Sequence, residues 1–287
     1  FVAFAIKAPL VPVHTWLPDA AGQAPAGAAV LLVGVLDKVG TYGMLRFCLE
    51  LFPGAAKWFT PVVLTLSVVG IVYGAVLAIG QVDLQRLIAY TSISHFGFIT
   101  LGIFAMTTQG QTGATLYMVN HGFSTGALFL VAGFLIHRRG SARIDAFGGV
   151  QKVAPLLAGS FLVAGLSGLS LPGLSTFVSE FLVLVGTFTR YKVPAIIATS
   201  GIILAAVYIL WMYQRTMTGP PAEKVATMRD LSKRELLVIA PVLALLVVLG
   251  FYPKPALDMI NPSVKATMVR VDKQDPKPTI AEKGTRP

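Results

Sequence analysis

The chain has 287 residues, 55% of them hydrophobic and only 13% charged, with a net charge of +10. Apolar residues come in runs of about 20 rather than in alternating segments of about ten, which argues for an all-α polytopic membrane protein and against a soluble domain or a membrane β-barrel. The basic excess lies in loops and the tail, where it orients the chain and meets lipid headgroups, so the lipid bilayer is an expected partner and nucleic acid is not.

Phe1 already sits in an apolar run with no charged leader or cleavage site. The sequence therefore reads as a fragment whose upstream spans are missing, not as one opening with a signal peptide. The lone Cys48 excludes an internal disulfide and offers no metal cluster.

Eight apolar segments follow in order, at about 1–18, 27–49, 60–80, 87–106, 112–136, 154–190, 194–215 and 236–256. Thr60-Pro61 predicts a helix start by an N-cap and a proline at the first helical position. Ser232-Lys-Arg-Glu235 is a capping-box pattern just before the last run. The first segment carries Pro9 and Pro12 directly after Lys7. The sixth is too long for one span and contains Gly165-Leu-Ser-Gly-Leu-Ser-Leu-Pro-Gly-Leu-Ser175. Proline removes a backbone donor and clashes with the preceding turn, so both helices are expected to break there. Unwound backbone at membrane depth survives only inside protein or beside a wet cavity. Paired breaks near ionisable residues point to an ion path, with a merely kinked helix as the bland alternative. Gly122-Phe-Ser-Thr-Gly126 has the spacing that permits close helix packing.

Basic residues concentrate in the loops at 13–26, 81–86, 137–153 and 215–235. The opposite loops hold only Arg46, Lys57, Arg190 and Lys192. The first set is expected on the cytoplasmic side of the membrane. The domain reading is a transmembrane domain over 1–260. A polar tail follows over 261–287, with four prolines and nine charges, expected to be poorly ordered or draped on a partner.

Single ionisable residues stand alone inside apolar runs: Lys7, Lys38, His95, His121 and Glu180. At about 1.5 Å per residue, Lys38 lies about 17 Å into its span, His95 about 12 Å and His121 about 14 Å, near the middle of a roughly 30 Å core. Glu180 follows its helix break by about two turns, and Lys7 precedes the other break. Bland readings exist for each: a histidine satisfied between helices, a glutamate neutralising a lysine, a lysine snorkelling to the interface. Asp37, beside Lys38, reads either as a local counter-charge or as a residue facing another subunit. A row of such groups suits proton transfer, since histidine titrates near neutrality and waters between the groups would complete a relay.

Phe4-Ala-Ile-Lys-Ala-Pro-Leu-Val-Pro-Val-His-Thr-Trp-Leu-Pro-Asp19, Arg86-Leu-Ile-Ala-Tyr-Thr-Ser-Ile-Ser-His-Phe-Gly-Phe98 and Pro172-Gly-Leu-Ser-Thr-Phe-Val-Ser-Glu-Phe181 resemble the antiporter-like subunits of respiratory complex I (NADH–quinone oxidoreductase). That family also includes subunits of multisubunit cation/proton antiporters and of membrane-bound hydrogenases. The resemblance runs to about residue 260 and implies a fourteen-helix fold, of which this chain holds the later spans. It implies that Lys7 is the lysine of the first half-channel and Lys38 the connecting lysine. His95 and His121 would be relay histidines, and Glu180 the acid of the second half-channel, where the related subunits L and N typically carry lysine. Gly250-Phe-Tyr-Pro253 points the same way. The loop Asp19-Ala-Ala-Gly-Gln23 departs from the family's usual Asp-Ala-His-Gly-Glu.

The expected function is proton translocation within an NADH–quinone oxidoreductase, with other membrane subunits, L and N among them, as partners. No GxGxxG segment, cysteine cluster or haem-ligand pair appears, so no cofactor is expected in this chain; NADH, FMN, iron–sulfur clusters and quinone are expected in partner subunits. Two rivals stay open: a subunit of a cation/proton exchanger or membrane-bound hydrogenase, and a structural scaffold whose buried charges are inert.

Overall fold

The computed structural model describes residues 1–276. Among them the chain is helical, with one isolated bridge between Asp83 and Arg143 in place of any sheet. Six helices are long and apolar enough to cross a membrane: α3 (Ala26–Leu49), α4 (Pro53–Ile79), α5 (Leu84–Phe104), α6 (Thr108–Arg139), α9 (Lys192–Met217) and α10 (Lys233–Phe251). Two broken pairs complete eight crossings: α1 (Val2–Lys7) with α2 (Trp16–Gln23), and α7 (Pro155–Gly168) with α8 (Ser175–Phe188). Each half of the second pair has 14 residues, about 21 Å of helix and short of a roughly 30 Å core, so only the pair spans.

α5 is the centre of the bundle, and nearly all its residues are buried. α10 buries only Ile239 and Leu246 and forms an edge. Between them α6 packs on α3, on α5 and on α7 and α8. The Gly122 expected to permit close packing meets the Gly34 carbonyl of α3, where a Cβ would strike it.

Two sequence expectations change. Helix α4 starts at Pro53 rather than at Thr60-Pro61. Pro53 occupies the first turn, where a missing N–H costs nothing, so the earlier proline sets the start and Pro61 is carried inside the helix. The Thr60 hydroxyl turns back to the Ala56 carbonyl at 2.8 Å instead of capping. Second, residues 261–271, read as polar tail, continue the helix α11 (Lys254–Val271), so the boundary at 260 falls inside a helix. Val264, Met268 and Val271 recur at helical spacing and are buried against the bundle. Residues 277–287 of the expected tail lie outside the described residues.

The capping box at α10 forms as read, with Ser232 and Glu235 bonding each other's backbone N–H. The basic loops gather at one end. There Arg86 meets Asp19 at 2.7 Å, and Leu84 N–H donates to Ala142. Arg138 reaches Glu235 at 2.6 Å and the carbonyls of Arg229 and Asp230. In the exposed loop the Arg143 guanidinium holds the Asp145 carboxyl below its usual range. At the opposite end α11 is strapped down by Glu50, which accepts from Arg46, Arg270 and Thr267.

Candidate functional site

The break between α7 and α8 is an ordered turn, not a frayed end. Ser170 N–H bonds Ser167, Leu171 N–H bonds Leu166 and Leu174 N–H bonds Leu171. Gly173 takes φ +93°, and Ser170, though not glycine, takes φ +59°. A left-handed residue with a side chain costs roughly 1–2 kcal/mol, and strain of this kind collects at functional sites. The Ser170 hydroxyl points at the site and donates to Glu180 Oε2 at 2.6 Å.

Glu180 is 3% exposed. Its Oε2 also accepts the Tyr117 hydroxyl at 2.5 Å. That oxygen of Tyr117 lies 2.6 Å from His95 Nδ1, and the His95 and His121 rings are 5.3 Å apart. His121 Nε2 lies 2.8 Å from the Ser92 hydroxyl, while its Nδ1 has no partner among the described residues. Two full helices, α5 and α6, the half-helix α8 and the turn before it thus supply one connected buried cluster.

Close backbone approach makes the contact possible. Gly113 lies one turn before Tyr117, and a Cβ there would strike Leu182, Val183 and the Ser179 carbonyl around Glu180. Asn120 holds the start of α8 from α6, donating to the Ser175 carbonyl at 2.6 Å.

Lys38 lies at the edge of this cluster. The helix α3 widens to π-helical turns over Leu32–Leu36 and Met44–Leu49, on either side of Lys38, and such turns are frequent at functional sites. The half-buried Lys38 ammonium donates to the Val33 carbonyl and sits 5.1 Å from the centre of the Phe96 ring. The Phe96 ring also meets His121 edge to face, with ring centres 5.3 Å apart.

Lys7 stands apart. It ends α1, is half-buried, and joins neither histidine nor Glu180 by a hydrogen bond. The first break beside it is tied by Trp16 Nε1 to the Ile6 carbonyl at 2.8 Å, and its Val11–Pro12 peptide is cis.

Of the five ionisable residues read from the sequence, the structure gathers His95, His121 and Glu180, sets Lys38 beside them across Phe96, and leaves Lys7 at a distance. Tyr117 and Ser170 were missed. Tyr117 stands four residues before His121 and four after Gly113, on one helix face, and that spacing was the available signal. Among the described residues no group of three or more His, Cys, Asp or Glu could hold a metal ion.

Residues 1–207 match the family described as NADH:quinone oxidoreductase/Mrp antiporter, TM. The chain is 60% identical over 279 residues to NADH-quinone oxidoreductase subunit M of Mycobacterium tuberculosis (strain CDC 1551 / Oshkosh), covering 97% of this chain and 50% of that protein. It is 45% identical over 265 residues to subunit M of Rhodobacter capsulatus, covering 92% and 52%. A chain of respiratory complex I from Thermus thermophilus with bound NADH superposes with a TM-score of 0.88 at 33% identity, over 94% of this chain and 57% of that one. A chain of the Mrp complex from Dietzia sp. DQ12-45-1b shares the fold at 23% identity, with a TM-score of 0.83 over 94% and 60%. The chain spans about half the length of the curated relatives it matches. With a family match over most of its length and both broken helices in place, the chain belongs to the NADH:quinone oxidoreductase/Mrp antiporter transmembrane family.

Proposed function

We propose that this chain forms part of a subunit M of an NADH–quinone oxidoreductase, in which it moves protons across a bacterial cytoplasmic membrane. The observation that carries the reading is the unbroken hydrogen-bonded run from His95 through Tyr117 to Glu180 inside an apolar bundle. Buried ionisable groups at membrane depth are costly and mark ion paths, and proton transfer needs donors and acceptors within hydrogen-bond reach or one water apart.

With His95 Nδ1 protonated, its proton passes to the Tyr117 oxygen as the Tyr117 proton passes to Glu180. The hydroxyl is unchanged after each transfer, and the net result is one proton moved from the His95 imidazolium, which is left a neutral imidazole, to the carboxylate. Ser170 keeps the receiving oxygen in place. His121 feeds His95 from the side of Lys38, and water completes the step past Phe96. The Lys38 charge, lying near both histidines, biases where the proton rests, which couples uptake on one side to release on the other.

On this reading NADH, FMN, iron–sulfur clusters and quinone belong to partner subunits, and quinone reduction there drives the protons here. The antiporter-like subunits L and N are its neighbours in the membrane arm.

The test is purification of the full-length protein through a tag in mild detergent, followed by assay for NADH–quinone reductase activity and by reconstitution. Activity with many co-purifying subunits, and a Lys38→Ala variant that assembles but pumps less, support the reading. A few membrane subunits without NADH oxidation, or sodium-dependent transport, would replace it with the exchanger reading.

A further inference from the structure

The proton path above uses Lys38 and leaves its neighbour Asp37 without a task. Asp37 is fully buried, and neither carboxylate oxygen has a hydrogen-bond partner among the described residues. A carboxylate held away from water and without donors is costly unless charges nearby compensate it. The cations whose charge reaches it are Lys38 and Lys7.

Helix geometry explains why both do. Residues 37, 40, 41 and 44 lie on one buried face of α3. That face is pressed on α1: a Cβ at Gly40 would strike the Ala8 backbone and the Phe4 carbonyl. Gly40 lies one turn after Asp37, and Ala8 directly follows Lys7. The carboxylate therefore occupies the seam between the broken helix that ends at Lys7 and the helix that carries Lys38. The Lys38 ammonium meanwhile turns back to the Val33 carbonyl, leaving the carboxylate unclaimed by a direct ion pair.

We propose that Asp37 is a proton-carrying residue of this chain, the carboxylate that links Lys7 to Lys38. The inference rests on the proton-translocating reading above. The ionised carboxylate takes a proton from the Lys7 ammonium, leaving a neutral amine and a neutral carboxyl. The carboxyl then gives that proton to a neutral Lys38 amine, restoring carboxylate and forming ammonium. One proton moves, and the total charge of the three groups is constant throughout. This step supplies the connection that Lys7 otherwise lacks to the histidine cluster.

The experiment compares Asp37→Asn, Asp37→Glu, Lys38→Ala and Glu180→Gln in the full-length protein within its native assembly. Assembly, NADH oxidation and proton pumping into vesicles are read for each. Asp37→Asn is expected to assemble and to lower pumping about tenfold or more, and Asp37→Glu to restore most of it. Recovery by the titratable variant separates proton carrying from a packing role. Should the Asn variant not assemble, Asp37→Leu places an apolar side chain in an apolar helix and carries the same expectation. Normal pumping by an assembled Asn or Leu variant, while Lys38→Ala and Glu180→Gln are impaired, overturns this inference alone. Normal pumping in all of them overturns the proton-path reading beneath it.

Discussion

Tyr117 donates its hydroxyl to Glu180 at 2.5 Å, across two helices and 63 positions of sequence. Because His95 lies 2.6 Å from the same hydroxyl oxygen, the tyrosine is the joint between the two buried histidines and the carboxylate. Tyr117→Phe keeps the ring and its packing and deletes only that joint. A hydrogen bond to a charged group contributes about 1.5–3 kcal/mol, so proton movement is expected to fall roughly ten- to a hundredfold. Pumping by assembled variant in vesicles measures it; an unchanged rate would remove Tyr117 from the path.

Ser170 combines an unfavourable φ of +59° with a hydrogen bond to Glu180. Ser170→Ala loses the bond and keeps the strain, whereas Ser170→Gly loses both. The glycine variant is therefore expected to be more stable than the alanine variant by about 1 kcal/mol, with both impaired in pumping. Thermal midpoints of the two purified assemblies decide it.

Gly113 lets α6 and α8 approach until Tyr117 and Glu180 meet. Gly113→Val forces side-chain atoms against the Leu182 Cβ, the Val183 backbone nitrogen and the Ser179 carbonyl, none of which is the far end of a flexible side chain. Overpacking of this kind costs about 1–3 kcal/mol, and here it also separates the hydrogen-bonded pair. Reduced yield of intact assembly and reduced pumping in what assembles are the expected results, read by native gels and vesicle assays.

Not every ion pair contributes. Arg138 is largely buried and holds Glu235 together with two backbone carbonyls of the loop before α10. Arg138→Ala is expected to lower stability by about 1–3 kcal/mol. Lys254 and Asp258 form an exposed pair on α11, with side chains 69% and 60% exposed, and Lys254→Ala should cost about 0.5 kcal/mol or less. Thermal denaturation of the two variants side by side tests the contrast.

Much of this architecture was legible because membrane burial writes itself into composition. Eight apolar runs, two proline-marked breaks and the Ser232–Glu235 cap all stand in the sequence as local signals. Lys38, His95, His121 and Glu180 were legible for the same reason, as ionisable groups stranded among apolar ones. Tyr117 was not, since a tyrosine in a membrane helix is unremarkable until tertiary packing sets a carboxylate against it. Thr60-Pro61 misled because Pro53, eight residues earlier, offered an equally good start nearer the chain's turn. The helix through 261–271 was hidden by the composition of the whole 261–287 stretch, whose four prolines and nine charges outweigh the three apolar residues that the helix buries. The π-helical turns around Lys38 carry no composition signal at all.

The central claim is that Glu180 receives protons through Tyr117 and His95 and passes them on. The most direct test is the number of protons moved per NADH oxidised by the reconstituted, fully assembled Glu180→Gln variant. The amide keeps the size and an acceptor oxygen for Tyr117 and Ser170, but cannot take up the proton. A fall in protons per NADH, with assembly intact, is the predicted result. A wild-type ratio from the assembled variant would contradict the account.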